Sequence, residues 1–228
     1  EGESRKIIRL GASTIPSAYI LPELLPAYGK AHPDTYFSIH QSDSQGIVDG
    51  LLQGNFDVGL VGMRGADEAL ACIPFYQDRM VLITPVNEHF LALKAQGAFP
   101  VEALLGEAMI LRENGSGSKK SADRFLESMG IQESELQVIA RINDQEAIKN
   151  LVAQGLGISI LSERAARNFC EEKRLLGFEL PESAARRSLY LIYQKNYILK
   201  PYIQKFAEFV KRFYPSAEPE SAEPVKAR

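Results

Sequence analysis

Apolar and polar positions alternate in a strand–helix–strand pattern between residues 138 and 163. A short apolar run at residues 138–140 precedes an apolar helical face at residues 147–152. Gly155 ends that helix as a residue just past a C-cap does, and a second apolar run occupies residues 157–161. Two buried strands joined by a helix form a parallel crossover, so the pattern predicts a parallel sheet at this point.

The first third of the chain has the same alternation. Strand and helical patterns follow one another at residues 6–10, 18–31, 35–40, 44–52 and 57–61. The first helical pattern contains Pro22 and Pro26, which predict a kink or two abutting helices. Ser42 or Ser44 is predicted to cap the second helix. The segment is therefore predicted to be a β-α-β-α-β unit, which is typical of a doubly wound sheet.

The remaining patterns complete a second unit of the same kind. Further strand patterns lie at residues 72–76, 80–84, 108–111, 175–180 and 187–193, and helical patterns at residues 118–129 and 199–214. The alternation runs twice, over residues 6–84 and 108–193, without a sequence repeat. It predicts an α/β fold of two Rossmann-like subdomains joined by two crossover strands. The predicted hinges lie near residues 80–86 and 188–193, beside a crevice of the kind that binds small ligands.

Composition narrows the class of protein. The chain has 228 residues, of which 45% are hydrophobic and 24% charged, as in ordinary globular domains. Its net charge of -3 makes it a poor candidate for a DNA-binding surface. No apolar run reaches membrane-spanning length, and residues 1–15 lack the features of a signal peptide. Cys72 and Cys170 are too few for a disulfide framework or a zinc site and fit a reducing compartment. Since the chain begins at Glu1 without a Met, we expect a processed chain or an excised domain.

Three turns are predicted to point into the crevice. One holds Ser13 and Thr14, one spans residues 112–118, and one holds Asn143 and Asp144. Each precedes a predicted helix, and the N–H groups and positive dipole end of a helix start suit a small anion. The alternative is that each Ser, Thr, Asn or Asp only caps its own helix.

Three segments of the chain resemble the regulatory half of LysR-type transcriptional regulators. The segments are LGAST followed by IPSAYILPELLPAYGKAHPD, then IVDGLLQGNFDVGLVG, and finally AIKNLVAQGLGISILSE. The resemblance covers nearly all of residues 5–214 and implies type 2 periplasmic-binding-protein-like subdomains with an inducer between them. The family's N-terminal winged helix-turn-helix and linker helix do not occur in this sequence. By position, the resemblance implies effector-binding roles for Ser13, Thr14, Gly62, Met63, Arg64, Arg112, Gly115, Ser116, Asn143 and Asp144.

The resemblance also implies an organisation and a set of partners. We expect one regulatory subdomain of residues 1–84 with 191–214, a second of residues 85–190, and a disordered tail at residues 215–228. The expected partners are a small anionic effector and operator DNA, the latter only through the missing N-terminal domain. We expect a cytoplasmic homodimer that becomes a tetramer at full length and uses no membrane, metal or cofactor. In the dimer, residues 18–31 and 36–40 should pack head to tail against residues 121–129 of the partner, because Leu24 on the first segment and Phe125 and Leu126 on the last give more apolar surface than one sheet contact needs.

Two other classes of protein remain as alternatives. A solute-binding protein of an anion transporter would share this fold, and the gene upstream of Glu1 would separate it from a regulator. An enzyme is the weaker alternative, because His32, His40 and His89 are scattered and form no catalytic motif. The turn at residues 112–118 also lacks the spacing of a Walker A loop. We expect the effector to be a small oxyanion or a sulfur precursor.

Overall fold

The computed structural model describes residues 5–97, 99, 101–181 and 185–215. Residues 216–228 of the predicted tail lie outside this part of the chain. Within it, two groups of helices and strands pack around separate hydrophobic cores, and two long strands run between them. We call these groups the first lobe and the second lobe.

The first lobe contains a parallel three-stranded sheet in the order β2-β1-β3, as the sequence predicts for a doubly wound unit. Helices α1 and α7 cover one face of the sheet, where Leu24 and Phe206 join the core around Leu10. Helix α2 covers the other face through Ile47 and Leu51. The elements are β1 (Lys6–Ala12), α1 (Leu21–Ala31), β2 (Thr35–Gln41), α2 (Ser44–Leu52), β3 (Val58–Val61) and α7 (Pro201–Phe213).

The first helical segment is divided just before Pro22 into two abutting helices, as predicted, whereas Pro26 lies inside the second of them. A π-helical turn spans Pro16–Ile20, and α1 begins directly after it with Pro22 in its first turn. Helix α2 is capped by Asp43, whose side chain accepts a hydrogen bond from the Gly46 N–H at 2.6 Å. The prediction of a serine cap was therefore wrong, and the aspartate between the two serines takes that role.

The second lobe is built on β5, β6 and β7. Strands β5 and β6 pair in parallel, and Met109 of β5 forms a parallel bridge with Ile158 just before β7. Helix α4 packs on one side of these strands through Phe125, and α5 and α6 pack on the other. The elements are α3 (Glu88–Ala95), β5 (Ala108–Arg112), α4 (Gly117–Ser128), β6 (Gln137–Ile142), α5 (Gln145–Ala153), β7 (Ser159–Ser162), α6 (Glu163–Glu171) and β8 (Leu176–Glu179), with 3-10 turns at Val101–Gly106 and Glu133–Glu135.

Strands β4 (Leu70–Thr84) and β9 (Arg186–Gln194) connect the lobes as an antiparallel pair. The sequence predicts two strands where β4 is one, because Gln77, Asp78 and Arg79 interrupt its apolar pattern. The pairing with β9 continues through these polar positions, after a bulge between Pro74 and Tyr76. The polar residues mark the place where the strand leaves one core and enters the other.

Core membership indicates where the strands cross. On β4, Phe75 belongs to the first core and Met80 to the second. On the returning strand, Ala185 belongs to the second core and Leu189 to the first. We keep the two-subdomain division as a proposal, with the crossing at residues 75–80 and 185–189.

Candidate functional site

The turn after β1 is fixed by its backbone and lies between the lobes. The Ser13 N–H donates to the Leu60 carbonyl at 2.9 Å, and the Ser13 carbonyl accepts from the Ser17 N–H at 2.9 Å. Ser13 itself is buried. Thr14 beside it meets the second lobe through both its hydroxyl and its carbonyl oxygen.

Arg112, at the end of β5, is the centre of this contact. Its Nη2 donates to Thr14 Oγ1 at 3.3 Å and its Nη1 to Gln145 Oε1 at 3.1 Å. Glu113 accepts from Nε at 2.9 Å and from Nη2 at 3.1 Å, which is a bidentate pair. Gln145 in turn donates to the Thr14 carbonyl at 3.2 Å. Arg112, which is predicted from the sequence to bind the effector, thus pairs with a carboxylate of the chain in this structure.

The glycine turn before α4 faces the start of α2. Ser116 caps α4, its hydroxyl accepting from the Lys119 N–H at 3.2 Å. Gly115 has φ +94, a left-handed conformation that glycine adopts without strain. A Cβ on Gly115 would lie 3.2 Å from Asp43 Oδ2, the side chain that caps α2. The starts of α4 and α2 therefore face each other, although the start of α2 is not one of the three turns that the sequence predicts to face the crevice.

The carboxyl end of β3 forms the opposite wall. The Gly62 N–H donates to Ser44 Oγ at 3.3 Å, and the Gly62 carbonyl oxygen lies 2.7 Å from the place of a Cβ on Gly117. Half-buried Met63 and exposed Arg64 follow it at the rim. The lobes thus touch backbone to backbone at a pair of glycines.

A pocket of about 440 Å³ opens beside this glycine contact. Its walls come from the residues after β3, from one side of α4 along nearly its whole length and from β9. The lining residues are Gly62, Met63, Arg64, Gly117, Lys120, Ser121, Asp123, Arg124, Glu127, Arg187, Ser188 and Tyr190. Asp123 is tied to Lys119 at 2.6 Å, so its charge is offset by that ammonium group. The remaining side chains give the pocket more positive than negative charge.

The other predicted site residues lie outside this pocket lining. Asn143 and Asp144 are exposed, and Asp144 caps α5 by accepting from the Glu146 N–H at 2.9 Å and from the Ala147 N–H at 3.5 Å. The residue after them, Gln145, is buried and reaches Thr14. Sequence reasoning missed Gln145, whose only signal was its position directly after a helix cap.

A second contact joins the lobes on the far side of the cleft. Lys149 of α5 is fully buried, and its ammonium group donates to Glu146 at 2.7 Å, to Asn168 at 3.0 Å and to the Tyr19 hydroxyl at 3.3 Å. Tyr19 donates to Glu146, and burial together with that carboxylate raises the pKa of Tyr19. Arg164 completes the contact by donating to the Tyr19 carbonyl at 3.2 Å.

The described residues contain no group of three or more His, Cys, Asp or Glu side chains placed to hold a metal ion. Cys72 and Cys170 form no disulfide with each other and pack against different hydrophobic clusters. Burial raises the pKa of the Cys170 thiol, which disfavours its reactive thiolate form. In the same part of the chain, no helix has the length and apolar character needed to span a bilayer.

Comparison with curated proteins finds transcriptional regulators. The uncharacterized HTH-type transcriptional regulator MJ0300 of Methanocaldococcus jannaschii is 30% identical over 207 residues, which are 90% of this chain and 68% of that protein. The RuBisCO operon transcriptional regulator of Allochromatium vinosum is 27% identical over 211 residues, 92% of this chain and 67% of that protein. The phosphonates import ATP-binding protein PhnC of Anaeromyxobacter dehalogenans is 30% identical over 165 residues, 71% of this chain but 32% of that protein.

Comparison with solved structures confirms the predicted fold. The effector binding domain of QuiR in complex with shikimate has a TM-score of 0.80 at 21% identity, covering 92% of this chain and 97% of that one. The regulatory domain of Synechocystis PCC6803 CcmR in complex with 2-PG has a TM-score of 0.80 at 23% identity, covering 90% and 96%. The sequence model of the family described as "LysR substrate binding domain" matches residues 1–215 of this chain. The chain therefore belongs to the LysR substrate binding domain family.

Proposed function

We propose that this chain is the effector-sensing part of a LysR-type transcriptional regulator and binds a small anionic molecule between its lobes. The observation that carries the proposal is the pocket of about 440 Å³ between the end of β3 and the start of α4, a volume within the range of small-molecule sites. Both lobes and the connecting strand β9 line the pocket, so an occupant would contact both lobes and their connection at once. The family match favours this function over a transport solute-binding protein.

Charge supports an anionic effector. Arg64, Lys120 and Arg124 line the pocket, and the wall begins at Gly117, the first residue of α4, where the helix dipole is positive. Two acidic side chains also line the pocket. Asp123 is paired with Lys119, which leaves Glu127 as the lining acid that opposes these cations. The relatives solved with shikimate and with 2-PG bind small molecules, which fits a pocket of this size.

Site residues have two roles in this proposal. Gly62, Met63 and Arg64 contact the effector directly, because they line the pocket. A second set holds the lobes together next to the pocket and responds when the effector enters. This set consists of Ser13, Thr14, Arg112, Gly115 and Ser116. Asn143 and Asp144 border this set at the start of α5, where Gln145 makes the contact between the lobes.

The remaining functions belong to the whole regulator. The chain spans about two thirds of the regulators that it matches, 68% and 67%, and about a third of the import protein, 32%. We propose that operator DNA is bound by a segment outside this chain, and that the domain acts in the cytoplasm as a homodimer without catalysis. The import protein does not redirect the proposal, because the turn at residues 112–118 lacks the Walker A spacing.

Calorimetry with the purified chain tests the proposal. The panel contains sulfate, thiosulfate, inorganic phosphate, acetylserine and small carboxylates, at fixed ionic strength. We expect one or more to bind, and Arg64→Ala with Lys120→Ala to weaken the Kd about tenfold, since losing charged hydrogen bonds costs about 1.5–3 kcal/mol. Lys205→Ala, on an exposed position of α7, is the matched control and should leave the Kd unchanged.

Two outcomes would count against the proposal. Equal affinity in the double variant and the control would move the site away from this pocket. A sequence-specific gel shift by residues 1–228 alone would contradict the assignment of DNA binding to another segment.

A further inference from the structure

A buried charge pair lies at the crossing of the two connecting strands. Arg187 of β9 stands opposite Asp78 of β4, and its Nε donates to Asp78 Oδ2 at 3.0 Å. The two side chains are 2% and 1% exposed. Arg187 also lines the pocket of about 440 Å³, whereas Asp78 does not.

The pair is incompletely satisfied. Both terminal nitrogens of Arg187, Nη1 and Nη2, are buried without a hydrogen-bond partner among the described residues. Asp78 Oδ1 is buried in the same condition. A guanidinium group carries five donors, and the structure assigns a partner to Nε alone. Buried polar groups are nearly always paired in folded proteins, so the two terminal nitrogens of Arg187 are available to donate hydrogen bonds to a further partner.

The unsatisfied guanidinium belongs to the wall of the pocket of about 440 Å³. Its Nη1 lies 3.3 Å from the place that a Cβ on Gly62 would take, and Gly62 touches Gly117 at the start of α4. The absence of side chains at both glycines leaves only backbone between Arg187 and the space in front of α4. An oxyanion held in the pocket beside these glycines would face Arg187 together with Lys120 and Ser121 of α4, which line the same pocket.

We propose that Arg187 reads an oxyanion of the effector, a carboxylate or a phosphate group, and that Asp78 is the positioning residue that holds the guanidinium plane. This inference rests on the proposed function and names the chemical class of its ligand. The planar fork of arginine matches two oxygens of one carboxylate or phosphate group, whereas a neutral hydroxyl compound offers no such pair of acceptors. Lys120 and Arg124 add attraction for the same charge.

The position of the pair connects ligand binding to the lobes. Arg187 and Asp78 lie on the two strands that pass from one core to the other. A ligand that bonds Nη1 and Nη2 pulls on β9 at its crossing point and also contacts both walls. Effector occupancy therefore acts on the connection between the lobes directly, without passing through either core.

The test uses Arg187→Lys, which keeps the charge and loses the fork. Binding of inorganic phosphate, sulfate and small carboxylates to the full chain is measured by calorimetry and by the shift of the thermal midpoint. We expect the variant to lose about tenfold or more in affinity and most of the midpoint shift. Arg186→Lys is the matched control, because Arg186 is the neighbouring residue of β9 and lines a different pocket.

A second variant covers the risk of misfolding. If Arg187→Lys alone unfolds, the pair Asp78→Asn with Arg187→Gln removes both buried charges at once, and it should fold but ignore oxyanions. Equal affinity for oxyanions in wild type and in a folded Arg187 variant would overturn the inference and leave the proposed function standing. Failure of every oxyanion to bind the wild-type chain would overturn both the inference and the anionic effector of the proposed function.

Discussion

Asp144 shows how one residue can look like a ligand contact and act as a helix cap. Its carboxylate is exposed and accepts from two N–H groups at the start of α5. We predict that Asp144→Ala lowers the free energy of unfolding by about 1 kcal/mol, the usual value of such a cap. Urea unfolding measures the loss, and calorimetry should show an unchanged Kd for the effector. Asn143→Ala is the control and should change neither quantity, whereas a weakened Kd in either variant would restore these residues to the site.

Whether a side-chain interaction could be predicted from the sequence depended on how far apart its two residues lie along the chain. The caps at Asp144, Ser116 and Ser162 were predictable because a cap and its N–H partners lie within three residues. Gln145 and Arg187 were not, because their partners Thr14 and Asp78 lie more than one hundred residues away. A polar residue inside a strand or at a helix start gives no sign of such a partner until the fold brings the two together.

Glu133 links three elements of the second lobe and gives a prediction about pH. Its carboxylate accepts from Lys119 of α4 at 2.9 Å and from Arg141 of β6, and these hydrogen bonds lower its pKa. A lowered folded-state pKa means that the stabilisation exists above the unfolded pKa and disappears as pH falls through the folded pKa. Glu133→Gln should therefore destabilise the chain at pH 7, and the difference should shrink as the pH falls below about 4.3, the ordinary pKa of a glutamate, and vanish below the lowered folded-state pKa.

The measurement is urea unfolding of both chains across that range of pH. Glu135→Gln is the matched control in the same 3-10 turn, because Glu135 accepts from the Gln132 N–H and from neither cation. A difference between wild type and Glu133→Gln that stayed constant from pH 7 to pH 3 would mean that the ion pairs are not its cause.

Gly117 tests the close contact between β3 and α4. A Cβ at this position would lie 2.7 Å from the Gly62 carbonyl oxygen, closer than side-chain atoms pack, and backbone cannot yield as a flexible side chain does. Gly117→Ala should therefore separate the two walls and lower the free energy of unfolding by about 1–3 kcal/mol, as overpacking does. Gly29→Ala, inside α1 with no atom within 4 Å, should instead stabilise by about 0.5–1 kcal/mol. Equal effects of the two changes would disprove the contact.

At the scale of elements, the sequence predicted most helices and strands because each one repeats its own period. The clearest failure was β4, read as two strands because its middle is polar. Periodicity assumes that a strand stays in one core, and β4 passes from one core to another. The ion pair of Asp78 with Arg187 compensates the charge at that passage, and a partner on a distant strand cannot be read from local pattern.

At the scale of the whole molecule, the structure overturns the apolar-surface argument for a dimer. Leu24, Phe125 and Leu126 were read as surplus apolar surface, but all three are buried in the core of their own lobe. That interpretation was wrong because each helix packs against other elements of its own lobe besides the sheet. Such a helix buries a wider apolar face than a helix that contacts a sheet alone. The proposal of a homodimer therefore has to stand on the side chains that the fold leaves exposed.

Those side chains lie on two edge strands, one in each lobe. Tyr36 and Ile39 are 49% and 45% exposed on β2, which ends the seven-stranded sheet, and Ile139 is 49% exposed on β6, with Met129 nearby along the chain at 39%. Unpaired edges with apolar side chains favour association. A two-fold axis would bring the β2 edge of one copy to the β6 edge of its partner twice, burying about 1,200–2,000 Å² in total.

We predict that the chain sediments as a dimer at micromolar concentration and that Tyr36→Lys or Ile139→Lys converts it to a monomer. Each change places a charge in the middle of the interface, on opposite lobes, so the two variants mixed together should not restore a full dimer. Ile198→Lys, at a position 90% exposed between β9 and α7, is the control and should stay dimeric. A monomeric wild type would remove the dimer from the proposal, and a dimer that survives both edge substitutions would place the interface on another surface.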